Sequence, residues 1–155
     1  MKKLLVAVLL LCTFMVAAEA QPECAQQGTA CDMMMTQHAS KVDAVLQAVE
    51  LYAEAGRQAS RDIGREAFAD GATMSWVENG AITTVPISSL YDVLEQTGVE
   101  EVTYKVEDVS MAGNVAFVRI SSWFSKLGAF NDMFTLAEEN GKWKIVSKIY
   151  SIKKP

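Results

Sequence analysis

The sequence predicts an α+β domain in which N-terminal helices cover one face of a curved, mostly antiparallel sheet. Two observations carry this. Apolar residues recur with a helical period from Val42 to Tyr52, and from Val102 onward the period changes to two over four consecutive segments broken at Gly113, Gly128 and Gly141. Helices first and a long meander last is the order of an α+β fold, because such a sheet needs a helical layer over one face.

The first element is a leader. MKKLLVAVLLLCTFMVAAEA has Lys2 and Lys3, an apolar run from Leu4 to Val16, and small residues at Ala18 and Ala20, the pattern of a secretory signal peptide over residues 1–20. The run is shorter than the roughly 20 residues of a bilayer span, so no membrane association is expected after cleavage. The expected location is periplasmic or secreted. Losing Lys2, Lys3 and Glu19 moves the net charge from −5 one unit further negative, and a mature chain of about 135 residues can bury one core. The acidic balance excludes nucleic acid, since no basic stripe is left to neutralise phosphates. Lys142, Lys144, Lys148, Lys153 and Lys154 are read instead as the solvated face of a strand.

Residues 21–39 form an N-terminal extension. Cys24 and Cys31 are expected to pair as a disulfide in an oxidising compartment. Met33, Met34, Met35 and His38 crowd the same segment, and soft sulfur ligands suit copper(I), but the spacing matches no established metal motif; no metal and no cofactor are expected.

The domain proper is residues 40–155. Ser40 and Asp43 read as a capping box opening a helix whose face is Val42, Val45, Leu46, Val49 and Tyr52, with Gly56 as its stop. A short helix over Arg61–Phe68 follows Ser60. Strands at Thr73–Glu78 and Ala81–Val85 flank Asn79-Gly80, a strong hairpin signal. A third helix spans Leu90–Gln96 and closes at Gly98. The four last strands are Val102–Val109, Val115–Phe124, Phe130–Glu138 and Lys142–Ile152.

Register singles out Asp132. With Asn140-Gly141 as a two-residue turn, Leu136 pairs with Ile145, Phe134 with Ser147 and Asp132 with Ile149, while Lys144, Val146 and Lys148 face solvent. Pairing Ile120 with Phe134 in the preceding hairpin sets Ser122 beside Asp132. Both readings put Asp132 on the apolar face, where burial is expected to raise its pKa unless Ser122, Ser147 or Tyr104 donates hydrogen bonds to it. It either reaches water at an open rim or is a pocket carboxylate.

The runs NDMFTLAEENGKWKIVSKIY, AFADGATM and VEDVSMAGNVAFVRI resemble the putative lumazine-binding family of the nuclear transport factor 2-like superfamily, from about Val42 to Tyr150. The resemblance implies a cone, a strongly bent sheet around helices with a central cavity, often dimerising through the sheet. It holds catalysts such as ketosteroid isomerase as well as binding proteins, so the site must decide. The leading expectation is an exported protein binding a small, mostly apolar molecule through Phe130, Phe134, Ile120, Ser122, Trp143 and Trp76. The alternative is an acid/base isomerase, cyclase or dehydratase using Asp132 and Tyr104. A homodimer is expected, with Trp123 and Met133 supplying outward apolar area.

Overall fold

A computed structural model describes residues 23–153; the signal peptide expected over residues 1–20 lies outside the described residues. The chain divides into two compact units, Met1–Met34 and Met35–Pro155. Of the first, the structure describes the opening of helix α1 (Glu23–Gln58). Cys24 and Cys31 fall on that helix, their side chains outside the described ones. Seven helical residues separate Cα atoms by about 10.5 Å, and a disulfide joins Cα atoms no more than about 7 Å apart. The expected bond therefore requires the helix to open between them.

In the second unit α1 continues and is followed by α2 (Arg61–Ala67), β1 (Phe68–Glu78), β2 (Ala81–Pro86), α3 (Ser88–Thr97), β3 (Val102–Ala112), β4 (Val115–Phe124), β5 (Gly128–Glu139) and β6 (Lys142–Ile152). The six strands make one open, curved sheet in the order β2-β1-β6-β5-β4-β3. Every neighbouring pair is antiparallel except β1 with β6. Asn79-Gly80 and Asn140-Gly141 turn with φ of 52° and 80°, and 52° and 75°, the two positive values that a tight hairpin turn requires. Ser60 caps α2 by accepting a hydrogen bond from the Ile63 amide.

Val45, Val49, Tyr52 and Ala53 of α1 join one buried cluster with Val118, Ile120, Phe134, Leu136 and Ile145 of the sheet. This is the helical face read from the sequence. Both ends of α1 differ from the expectation, and β1 begins at Phe68 where a helix end and a turn were expected. Ser40 is not a cap: α1 runs through it, and its hydroxyl donates to the Gln37 carbonyl one turn back at 2.9 Å. Gly56 does not stop the helix either. It lets the helix approach the sheet, because a Cβ there would sit 2.6 Å from Phe124 Cε1 and 3.1 Å from Val102 Cγ2.

The registers correct the expectation in a way that changes the site. Leu136 pairs with Ile145 as expected, but the next pair is Thr135 with Ser147, leaving Val146 as an extra residue. This β-bulge inverts the facing of the rest of β6. Phe134 then lies opposite Lys148 and Asp132 opposite Tyr150, not Ser147 and Ile149. Lys148, expected in solvent, is buried, and Ile149 is exposed. Between β4 and β5 the pairing is Val118 with Phe134 and Ile120 with Asp132, two residues from the expected register. A two-residue shift preserves the faces, so Ser122 still points inward.

Candidate functional site

Asp132 stands in the middle of β5 with Phe134 and Leu136 on the same inward face, and it is fully buried. The reading of a rim carboxylate in water is thereby excluded. Donors from three elements meet it. Lys148 Nζ on β6 donates to Oδ1 at 2.6 Å, Ser122 Oγ on β4 donates to Oδ2 at 2.5 Å, and the Tyr52 hydroxyl on α1 donates to Oδ2 at 3.5 Å. A carboxylate so surrounded is satisfied inside an apolar core, the condition for burying a charge.

Lys148 is held from two further sides. Its Nζ lies 4.1 Å from the centre of the Tyr150 ring and 5.6 Å from that of Tyr52, within reach of attraction to both ring faces. Burial pushes the Lys148 ammonium below the ordinary lysine range, against the opposing pull of the Asp132 charge. Burial, then the Asp132 charge, raise the Tyr52 hydroxyl well above its usual value.

Beside this pair lies a pocket of about 220 Å³ between α1, α3 and the ends of β4 to β6. Met74, Leu90, Val93, Leu94, Phe124, Leu127, Phe130 and Ile152 give it an apolar wall, and Tyr52, Tyr150 and Lys148 are the lining residues with polar side-chain groups. Among the described residues, Lys148 is the one charged residue in the lining.

The residues expected from sequence are distributed unevenly around it. Phe130 lines the pocket, packed edge-on against Phe124 and Tyr150. Ser122 touches Asp132. Ile120 and Phe134 are fully buried core residues outside the pocket lining, with Phe134 edge-on to Tyr52 at 5.1 Å. Trp76 is half-buried and packs against Tyr150 with ring centres 5.7 Å apart and planes tilted by 34°, one layer removed from Lys148. Trp143 borders a different concavity at the other end of β6, with Lys142, Lys144, Glu66 and Gln47. Tyr104 does not meet Asp132. Its hydroxyl donates to Glu50 at 2.7 Å, and burial with that carboxylate pushes its pKa to about 12.

The pairing of Asp132 with Tyr104 on which the isomerase reading rested is therefore not formed, and the donors on Asp132 are others. Sequence reasoning missed Lys148, Tyr52 and Tyr150. Tyr52 was legible only as part of a helical face. For Lys148, nothing local marked the bulge that turns it inward.

An open curved sheet closed by helices over an apolar pocket defines the nuclear transport factor 2-like class, and solved structures agree. The chain is similar to an NTF2-like protein of unknown function from Shewanella baltica OS155 at 30% identity, with 76% of this chain and 97% of that one covered and a TM-score of 0.69. It is also similar to NTF2-like proteins of unknown function from Silicibacter pomeroyi DSS-3 (21% identity, 75% and 98% covered, TM-score 0.68) and Methylobacillus flagellatus KT (24%, 74% and 94%, 0.67). No match is found among curated proteins. The chain belongs to the family described as putative lumazine-binding, whose model matches residues 40–151.

Proposed function

We propose that this protein is a binder of a small, mostly apolar molecule carrying one hydrogen-bond acceptor, held in the pocket between α1, α3 and the ends of β4 to β6. The observation that carries the reading is Lys148. Its ammonium has three N–H donors, of which one reaches Asp132, and the residue belongs to the lining of the apolar pocket. An acceptor on a ligand would satisfy a further donor of this ammonium, beside the rings of Tyr150 and Tyr52. The wall around it matches a general ligand site, apolar with few placed polar groups.

Phe130 remains in this proposal as a lining residue, Ser122 as support for Asp132, and Trp76 as backing for Tyr150. Export to the periplasm or outside the cell, with loss of residues 1–20, is supported by the leader's pattern. Pairing of two copies through the outer sheet face is supported by exposed Trp123, Met133, Val146 and Ile149 on β4, β5 and β6.

The test is titration of a small apolar fluorophore into the purified chain, with two variants. Val93→Trp, at the partly exposed edge of the lining, is expected to fill the pocket and reduce affinity at least tenfold. Tyr104→Phe, away from the pocket, is expected to leave binding unchanged. Undiminished binding in Val93→Trp would overturn the assignment.

A further inference from the structure

The geometry points to reversible covalent capture of an aldehyde or ketone by Lys148, as an iminium held in the same pocket; this rests on the binding reading above. Three observations lead to it. Lys148 is the charged residue that the described lining of a mostly apolar cavity contains, its Nζ stands 2.6 Å from the carboxyl of Asp132, and the rings of Tyr150 and Tyr52 have their centres 4.1 and 5.6 Å from that nitrogen.

Charge decides the ligand class. The buried pair is neutral overall. A carboxylic acid entering as its anion would leave a net negative charge in the core, which burial penalises heavily. A carbonyl compound adds no charge. An iminium also carries the one positive charge that the ammonium carried, so the Asp132 carboxylate and the two ring faces stabilise it in the same way. Burial also lowers the lysine's affinity for its proton, which favours the free amine that must attack.

The step balances within the site. The ammonium passes one proton to Asp132. The amine forms an N–C bond to the carbonyl carbon, and the π electrons move to oxygen. A proton passes from nitrogen to that oxygen, giving a carbinolamine. Asp132 returns its proton to the hydroxyl, which leaves as water while the nitrogen lone pair closes the C=N bond. One water is released, the cation and carboxylate are both restored, and no oxidant or reductant is consumed.

The experiment uses the full chain with cinnamaldehyde and sodium cyanoborohydride at neutral pH, followed by intact mass and peptide mapping, with cinnamyl alcohol titrated in parallel by intrinsic fluorescence. The expected result is one reduced adduct per chain on Lys148, formed at least tenfold faster than on exposed Lys105, Lys142 or Lys153 and suppressed by excess alcohol. Lys148→Arg, which keeps the charge, is expected to lose it; if that variant does not fold, the map of the unaltered chain decides alone. Adducts spread over the exposed lysines with Lys148 unmodified, while the alcohol still binds, would overturn the capture and leave the binding reading standing. Neither a Lys148 adduct nor bound alcohol would remove both.

Discussion

Lys148 and Asp132 form a buried ion pair, 2.6 Å apart with side chains 4% and 0% exposed, bridging neighbouring strands β6 and β5. The two are not directly opposite in the ladder. Lys148 faces Phe134 and Asp132 faces Tyr150, so the contact is diagonal, within reach of a long side chain. It exists only because Val146 is extra.

That pair sets the first prediction. An aspartate without donors would be relieved by Asp132→Asn at neutral pH, and this is what burial alone suggested. With Lys148, Ser122 and Tyr52 donating, the substitution strands a buried ammonium instead. The expected loss is on the order of 3–5 kcal/mol, as for other broken buried pairs. Lys148→Met should lose a similar amount. Because one interaction is removed twice, the double variant should cost well under the sum of the two. Urea denaturation of the four proteins measures this; additive losses would show that the pair is not energetically coupled.

How much of this was legible follows from where local signals exist. The α1 face of Val45, Val49 and Tyr52 is written in i, i+4 and i+7 spacing, and both Asn-Gly turns fix their hairpins where they begin. The inward aim of Phe130, Asp132 and Phe134 follows from parity within one strand. Lys148 was not legible, since a bulge changes parity without changing composition. The β4–β5 register was missed because the connection from Ser125 to Leu127 carries no turn signal that fixes pairing. Tyr104 was placed near Asp132 by strand order, yet β3 is the edge strand with β4 intervening, and its hydroxyl turns to Glu50 of α1.

Gly56 supports a second prediction, in which helix propensity and packing oppose each other. Gly56 lies in the last turn of α1, where replacing glycine by alanine gains at most the roughly 1 kcal/mol of a helix interior. Here the new methyl would collide with the Phe124 ring at 2.6 Å and meet Val102 at 3.1 Å. Overpacking of this kind costs typically about 1–3 kcal/mol, so Gly56→Ala should lower the thermal midpoint. Combining it with Phe124→Leu should recover part of the loss relative to Phe124→Leu alone, and a midpoint raised by Gly56→Ala would refute the close-approach argument.

The outer sheet face gives a third. Trp123 on β4, Met133 on β5 and Ile149 on β6 are 43%, 40% and 51% exposed, and Met133 pairs directly with Ile149. If two copies join across this face, wild-type protein should sediment as a dimer and Trp123→Glu as a monomer with an unchanged circular dichroism spectrum. Monomeric wild type at every accessible concentration would remove the dimer while leaving the fold as described.

The last prediction concerns alkaline pH, where Tyr52 reports on the same site. Its ordinary pKa of 10.0 is raised well upward in the folded chain, first by burial and then by the Asp132 charge. Above about pH 10 the unfolded chain loses that proton and the folded chain keeps it. The folded state then binds more protons than the unfolded, so stability must fall as pH rises. The stabilisation attached to this hydroxyl is thus fully present below its unfolded pKa and is lost above it, at about 1.4 kcal/mol per pH unit until the folded pKa is reached. Tyr91, Tyr104 and Tyr150 are also raised, and the lowered Lys148 acts in the opposite sense. Comparison with Tyr52→Phe removes what the two proteins share. At neutral pH the variant should be the less stable by about 1 kcal/mol, the usual net worth of one hydrogen bond, since Ser122 and Lys148 still hold Asp132. Above pH 10 the difference should shrink and change sign within about one unit. Guanidinium denaturation of both proteins from about pH 8 to about pH 11 measures it. Parallel curves across that range would mean that Tyr52 titrates as freely in the folded chain as in the unfolded one, and that its hydroxyl is not sealed against Asp132.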